Sequence, residues 1–199
     1  GVSGLRKTGA GTLVLTADNT YANITTIAEG TLQIGAGGTT GSVSAFIIND
    51  GALVFNRSDL LTYAGGISGS GSLEKAGSGE LVLTGTSTYS GATNVTGGTL
   101  RLAGGPSALV NNESAYTVEA GAILAVDSTR IIGSLAGRGS LNLATGTQLT
   151  AGGNNNSTTF SGSIQGGGDL VKNGSGALTL SGTNSFGNLL VNAGVLRLE

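Results

Sequence analysis

Apolar residues recur at every second position in short runs along the whole chain. Leu13 and Leu15 flank Val14, Leu81 and Leu83 flank Val82, and Leu178 and Leu180 flank Thr179. A period of two places alternate side chains on opposite faces of a strand, so the leucines predict an inward face. A second set repeats the pattern at Leu32/Ile34, Leu100/Leu102 and Leu196/Leu198, with Gln33, Arg101 and Arg197 directed outward. GALVFNRS at 51–58 and GAILAVDS at 121–128 read as glycine, strand and polar corner. Leu53 and Phe55 face in; in the other, Leu124 and Val126 or the opposite set serve. Leu141, Leu143 and Leu149 add two more strands. No stretch carries a helical period, and the density of Gly and β-branched residues makes a helix costly.

These strands belong to a repeat. GLRKTGAGTLVLTADNTYANITTIAEGTLQI at 4–34 returns as GSLEKAGSGELVLTGTSTYSGATNVTGGTLRL at 71–102 and GDLVKNGSGALTLSGTNSFGNLLVNAGVLRL at 168–198. Lys7, Lys75 and Lys172 hold one repeat position, 68 and then 97 residues apart. Gly-x-Gly follows each lysine (Gly9/Gly11, Gly77/Gly79, Gly174/Gly176), where glycine allows the positive φ of a sharp corner. Each polar turn ends in an aromatic: Tyr21, Tyr89 or Phe186. The spacings divide into roughly three and four coils of about 20–25 residues, within the range of solenoid repeats. The expected fold is all-β, a right-handed parallel β-helix of about eight or nine coils, since parallel crossovers are almost always right-handed. Each coil packs only on its neighbours, so residues 1–199 read as a single domain.

Composition narrows the function. The chain has 38 Gly and one Pro, and charged residues make up 10% of it. Its net charge is −2 without a Lys/Arg cluster, which argues against nucleic acid. Cysteine is absent, a composition compatible with export through an oxidising periplasm. No signal peptide and no apolar run of membrane-spanning length is visible. Both ends read as cut from something longer.

The chemistry is sparse. With no His and no Cys, the chain excludes Ser-His-Asp triads, Cys–His pairs and His/Cys zinc sites from these residues. Its eleven acids are scattered singly. Asp50 with Asp59, and Asp127 with Arg130, share a coil but no loop long enough for a cleft, so paired-carboxylate hydrolysis has no support. The expectation is no enzyme, with no catalytic, cofactor-binding or metal residue and no cofactor. Gly166–Asp169 is similar to a Ca²⁺-binding nonapeptide, but a motif that works in tandem occurs once and reads as a turn. Asn154-Asn155-Asn156 reads as a corner or the start of an asparagine stack. Asn23, Asn94 and Asn112 match glycosylation sequons by chance. Lys7, Lys75 and Lys172 are expected as solvated lysines that discourage sheet-edge pairing, in preference to a binding stripe. Tyr21, Tyr89 and Phe186 are expected to cap turns or core, in preference to stacking on a glycan. Val14, Val54 and Val82 are expected outward.

The pattern Gly-x-Leu-x-Lys-x-Gly-x-Gly-x-Leu-x-Leu-[Thr/Ser]-Gly-x-[Asn/Ser]-[Thr/Ser]-[Tyr/Phe]…Gly-x-Leu resembles the passenger-associated transport repeat of bacterial autotransporters. The resemblance covers about half the chain. The first copy departs at Ala17, where the others have Gly85 and Gly182, and the third lacks one residue after Phe186. The resemblance implies type V secretion: a signal peptide and further passenger upstream, an outer-membrane β-barrel downstream as the export partner, and a place at the cell surface or outside the cell. It implies a stalk that aids secretion and folding and displays a functional region. Two alternatives stay open: an adhesin segment binding host cells, matrix or glycans itself, or the scaffold of an enzyme lying upstream. Oligomeric state is not legible.

Overall fold

The computed structural model describes residues 4–104 and 110–199, the side chains of 110–112 excepted; the Asn112 sequon therefore lies outside the described side chains. The described residues contain strands and turns but no helix, so none is long and apolar enough to cross a membrane. All strand pairings are parallel. The chain is a parallel β-solenoid of about nine coils, each with three sides.

On the first side stack Leu5–Lys7, Thr25–Ile27, Ile47–Asn49 and Ile67–Ser68, joined by a single bridge to Ser87. Gln148–Ala151, Asp169–Lys172 and Leu189–Val191 carry that side to the far end. The second side runs from Thr12–Leu15 through Thr31–Ile34, Ala52–Asn56, Ser72–Ala76 and Thr93–Val95. It ends with Thr158–Phe160, Ala177–Leu180 and Val195–Leu198. The third runs from Leu61–Tyr63 through Glu80–Leu83, Thr99–Leu102, Ile123–Val126, Ser140–Leu143 and Ser163–Gly166 to Asn184–Ser185. Two long strands, Val110–Val118 and Arg130–Gly137, turn the corner between the first and second sides. Arg130–Gly137 accordingly pairs with one strand through Arg130–Ile132 and with another through Gly137.

The interior is filled by the predicted ladders. Leu81, Leu100, Leu124, Leu141 and Ile164 stack on the third side, and all are buried. Leu53, Phe55, Leu143, Leu149, Leu178 and Leu180 are also inside, as expected, and Leu124 and Val126 are the inward set of their strand. Leu196 and Leu198 differ: they belong to the last coil, and without a coil above it Leu198 is 64% exposed. Val14 is exposed, while Val54 and Val82 are half-buried on the outer surface.

Stacking explains most of the glycine. Gly77, at φ 67°, makes the corner after Lys75, and a side chain there would be strained as well as crowded. Gly85 has ordinary φ, but a Cβ on it would lie 2.2 Å from the Gly65 carbonyl oxygen in the coil below. Ala17 takes this place in the first copy, where no described coil lies beneath it.

The repeat copies do not stand one above another. The first and third lie on the first and second sides, eight coils apart, whereas the second lies on the second and third sides. Sixty-eight residues are thus three coils and one side, and ninety-seven are four coils and two sides, a refinement of the whole-coil division expected from spacing.

Candidate functional site

Each repeat spans two consecutive coils: its first and third strands stack, and its second and fourth strands stack. At the corner between the two stacks lies the lysine. The expectation of solvated lysines is overturned, for Lys7, Lys75 and Lys172 are 7%, 2% and 1% exposed. The binding stripe falls too, because the lysines occupy two different corners and none faces out. The physical reason lies in the strand period. In Leu5-Arg6-Lys7, Leu73-Glu74-Lys75 and Leu170-Val171-Lys172 the lysine is two residues after an inward leucine and must share its face.

Inside, each ammonium is held by backbone carbonyls. Lys75 Nζ donates to Ala76 O at 2.5 Å and Gly77 O at 3.0 Å in its own coil, and to Gly97 O at 3.0 Å in the next. Lys7 does the same with Thr8, Gly9 and, across the coil boundary, Glu29 at 3.1 Å. Lys172 bonds Asn173, Gly174 at 2.8 Å and, in the next coil, Ala193 at 3.3 Å. The lysine satisfies carbonyls that a corner leaves without strand partners, and it ties two coils together. The Gly-x-Gly turn brings these carbonyls round to it. Burial pushes Lys75 down to about 8 and lowers Lys172 as well.

The opposite corner carries the aromatic. Tyr21 and Thr25 hydroxyls are 2.9 Å apart, and those of Tyr89 and Thr93 2.7 Å. In the third copy both partners change together: Phe186 replaces the tyrosine, and Leu189, paired with Leu170, stands where Thr93 pairs with Leu73. Hydroxyl with hydroxyl and hydrocarbon with hydrocarbon leave no polar group unmatched. All three aromatics pack against the core, as caps.

Two arginines brace corners in the same manner. Arg57 donates to Gly41 O at 2.8 Å and to Thr39 O, and its fork grips Asp59 at 2.7 and 2.8 Å. That pairing raises Arg57 and lowers Asp59. Arg130 donates to Thr129 O and Gly104 O. Five of the nine basic residues are therefore buried. Sequence reading missed these arginines; the available signal was Phe55-Asn56-Arg57, an inward residue two positions before the cation.

The acids stay outside and apart. Asp50 accepts from Ser70, Asp127 pairs with Arg101 at 2.9 Å beside Glu80, and Asp59 with Arg57. Neither Asp50 with Asp59 nor Asp127 with Arg130 forms a site. Among the described residues no group of three or more His, Cys, Asp or Glu converges. At Asp169 the carboxylate accepts from the Asn188 amide at 2.7 Å, in a corner. Asn155, at φ 62°, turns the corner after Gln148–Ala151 and accepts from the Ser175 amide. An outer groove of about 620 Å³ is lined by Ile131, Gly153, Asn173, Gly174, Ser175, Ala193 and Gly194, without an acid or a base. The arrangement is mechanical: it fastens coil to coil.

The passenger-associated-transport-repeat family matches residues 5–34, 73–102 and 170–198, the three segments that close these two-coil braces. A relative, the Adhesin BmaC autotransporter of Brucella suis biovar 1 (strain 1330), is 38% identical over 178 residues, 84% of this chain. The chain spans about 5% of that protein's length. No solved structure matches the chain significantly.

Proposed function

We propose that this chain, which belongs to the passenger-associated transport repeat sequences of bacterial autotransporter passengers, is a non-enzymatic stalk. It promotes folding and secretion and displays a functional region at the cell surface or beyond it. The observation that carries this reading is the lysine brace: every repeat fastens two coils with a side chain of its own. In a solenoid, stability is a sum of coil and nearest-neighbour terms, so a braced pair is a natural template for the next coil. Outside the outer membrane no nucleotide drives transport, and a pair that holds once formed opposes back-sliding. The partner in export is the protein's own C-terminal outer-membrane β-barrel, reached through the periplasm. The test is surface yield of the full-length protein. Deleting 168–199, or replacing Lys75 and Lys172 with Met, is expected to lower yield at equal expression; unchanged yield sinks the secretion reading.

A second reading rests on the relative's name, an adhesin. The long outer sides suit many weak contacts to host cells, matrix or glycans, which gain by avidity if geometry allows. Saturable binding of the folded 199-residue chain, lost when one outer side is altered, favours adhesion by the solenoid. A folded chain that binds nothing leaves the stalk and moves the adhesive region elsewhere in the protein.

A further inference from the structure

The interior changes character between the second and third repeat copies. Along the first and second sides it is lined by Ile27, Ile47, Ile67 and Leu73 before this region, and by Leu149, Leu170 and Leu178 after it; the polar groups buried in those flanks are Thr25, Asn49 and Thr147, each hydrogen-bonded, and the corner cations Lys7, Arg57, Lys75 and Lys172. Across the fifth to seventh coils the same sides keep Val95, Val118, Ile132 and Leu135 inside but gather Ser87, Thr93, Ser114, Arg130 and Ser134 among them, all buried. The hydroxyls of Tyr89 and Tyr116 lie among them, and burial raises both. Thr93 lies 3.4 Å from Ser114, which donates to Gly91 O at 2.7 Å. Ser87, Tyr89, Ser114, Tyr116, Arg130, Ile131 and Ile132 enclose a chamber of about 10 Å³, room for about one water. Ser87 Oγ is buried there without a hydrogen-bond partner.

Backbone irregularity falls in the same place. Among the described residues the first side has a single bridge at Ser87, and the ladder between Val110–Val118 and Arg130–Gly137 slips register between Asn111 and Ala115. The third side keeps its leucine ladder throughout. No lysine brace joins the fifth coil to the sixth or the sixth to the seventh; the three join the first and second, fourth and fifth, and ninth and tenth coils.

We infer that the fifth to seventh coils are a polar seam at which the solenoid opens before its flanks do, dividing it into two blocks that melt separately. Coupling between coils is local, so a stretch that packs polar groups around a chamber, with an interrupted ladder, has the weakest link in the row. The unbroken leucines of the third side keep the blocks connected when the seam opens.

Hydrogen exchange of the folded 199-residue chain, read peptide by peptide, tests this. Amides of 110–118 and 130–137 are expected to exchange at least about tenfold faster than those of 72–83 and 169–180, and denaturant is expected to give two transitions. Equal protection across these segments with one transition overturns the inference. Ser87→Val fills the chamber and removes the unpartnered hydroxyl. It is expected to slow exchange at 110–137 about tenfold and to draw the two transitions together. Exchange at the seam that stays the same or speeds up in this variant overturns the assignment to the chamber.

Discussion

The second repeat copy and the third have nearly the same sequence grammar and very different surroundings. Both bury their lysine, and each lysine closes the corner inside its own repeat. Yet Leu100 and Leu102 of the second copy are fully buried, whereas Leu198 at the equivalent place in the third is 64% exposed. The second copy has coils on both sides of it; the third has its last coil uncovered. The repeat encodes its own corner geometry, and burial comes from the neighbours. Local code and collective stability are separable in this chain.

The largest expected effect follows from removing the brace whose two coils are both covered by others. Lys75→Met leaves three buried carbonyls without their donor and should cost about 3 kcal/mol in denaturant unfolding, while Lys172→Met, beside the open end, should cost about half as much. Equal losses would mean that the brace acts within its own coil, without help from the coil above. Next comes the glycine that stacking demands. Gly85→Ala drives a methyl into the Gly65 carbonyl and should cost about 2 kcal/mol, whereas Ala17→Gly in the first copy should change stability by less than about 1 kcal/mol.

The aromatic corner sharpens the comparison further. Tyr89→Phe should cost about 1 kcal/mol by leaving the Thr93 hydroxyl only its long contact with Ser114, and adding Thr93→Leu should return part of it, since Phe186 and Leu189 already make that corner in hydrocarbon. Additive losses in the double variant would break the equivalence of the two corners.

Near neutral pH the profile is flat, and the buried lysines and tyrosines move it only at higher pH. Burial raises Tyr63, Tyr89 and Tyr116 above the ordinary 10, so the folded chain keeps protons that the unfolded chain releases; their contribution is complete below pH 10 and is lost as pH rises beyond it. Lys75 has the opposite sense. Between about 8 and 10.5 the folded chain gives up its proton first, so stability should rise through that window before the tyrosines bring it down. Unfolding midpoints measured from pH 7 to 11 should show a rise and then a fall, and Lys75→Met should shrink the rise, leaving the part due to Lys172, without altering the fall.

Most of the solenoid was legible because the period of two and the repeated Gly-x-Leu-x-Leu leave one arrangement in which leucines stack. The phase of the copies was not, because a spacing of 68 residues reads as a whole number of coils unless the coil length is known, and side-to-side pairings range around twenty residues. The lysines were misplaced for a different reason. A cation beside Gly-x-Gly looks like a solvent-facing corner, and a charge is ordinarily kept outside. The strand period pointed inward all the same, and the carbonyls of the turn supply what water would have. Ser87 and Arg130 gave no local sign of the polar seam; their meeting depends on the coil-to-coil stacking.

Burial of Lys7, Lys75 and Lys172 has a chemical corollary, for these are all the lysines the chain contains. A folded solenoid offers acylating reagents no accessible ε-amine, and trypsin no exposed lysyl bond. Each lysine becomes reactive when its own corner comes apart, and the three sit near the start, the middle and the end of the row. Pulse labelling with an amine reagent, read by mass at three positions, would follow the opening of the solenoid corner by corner without any engineered probe.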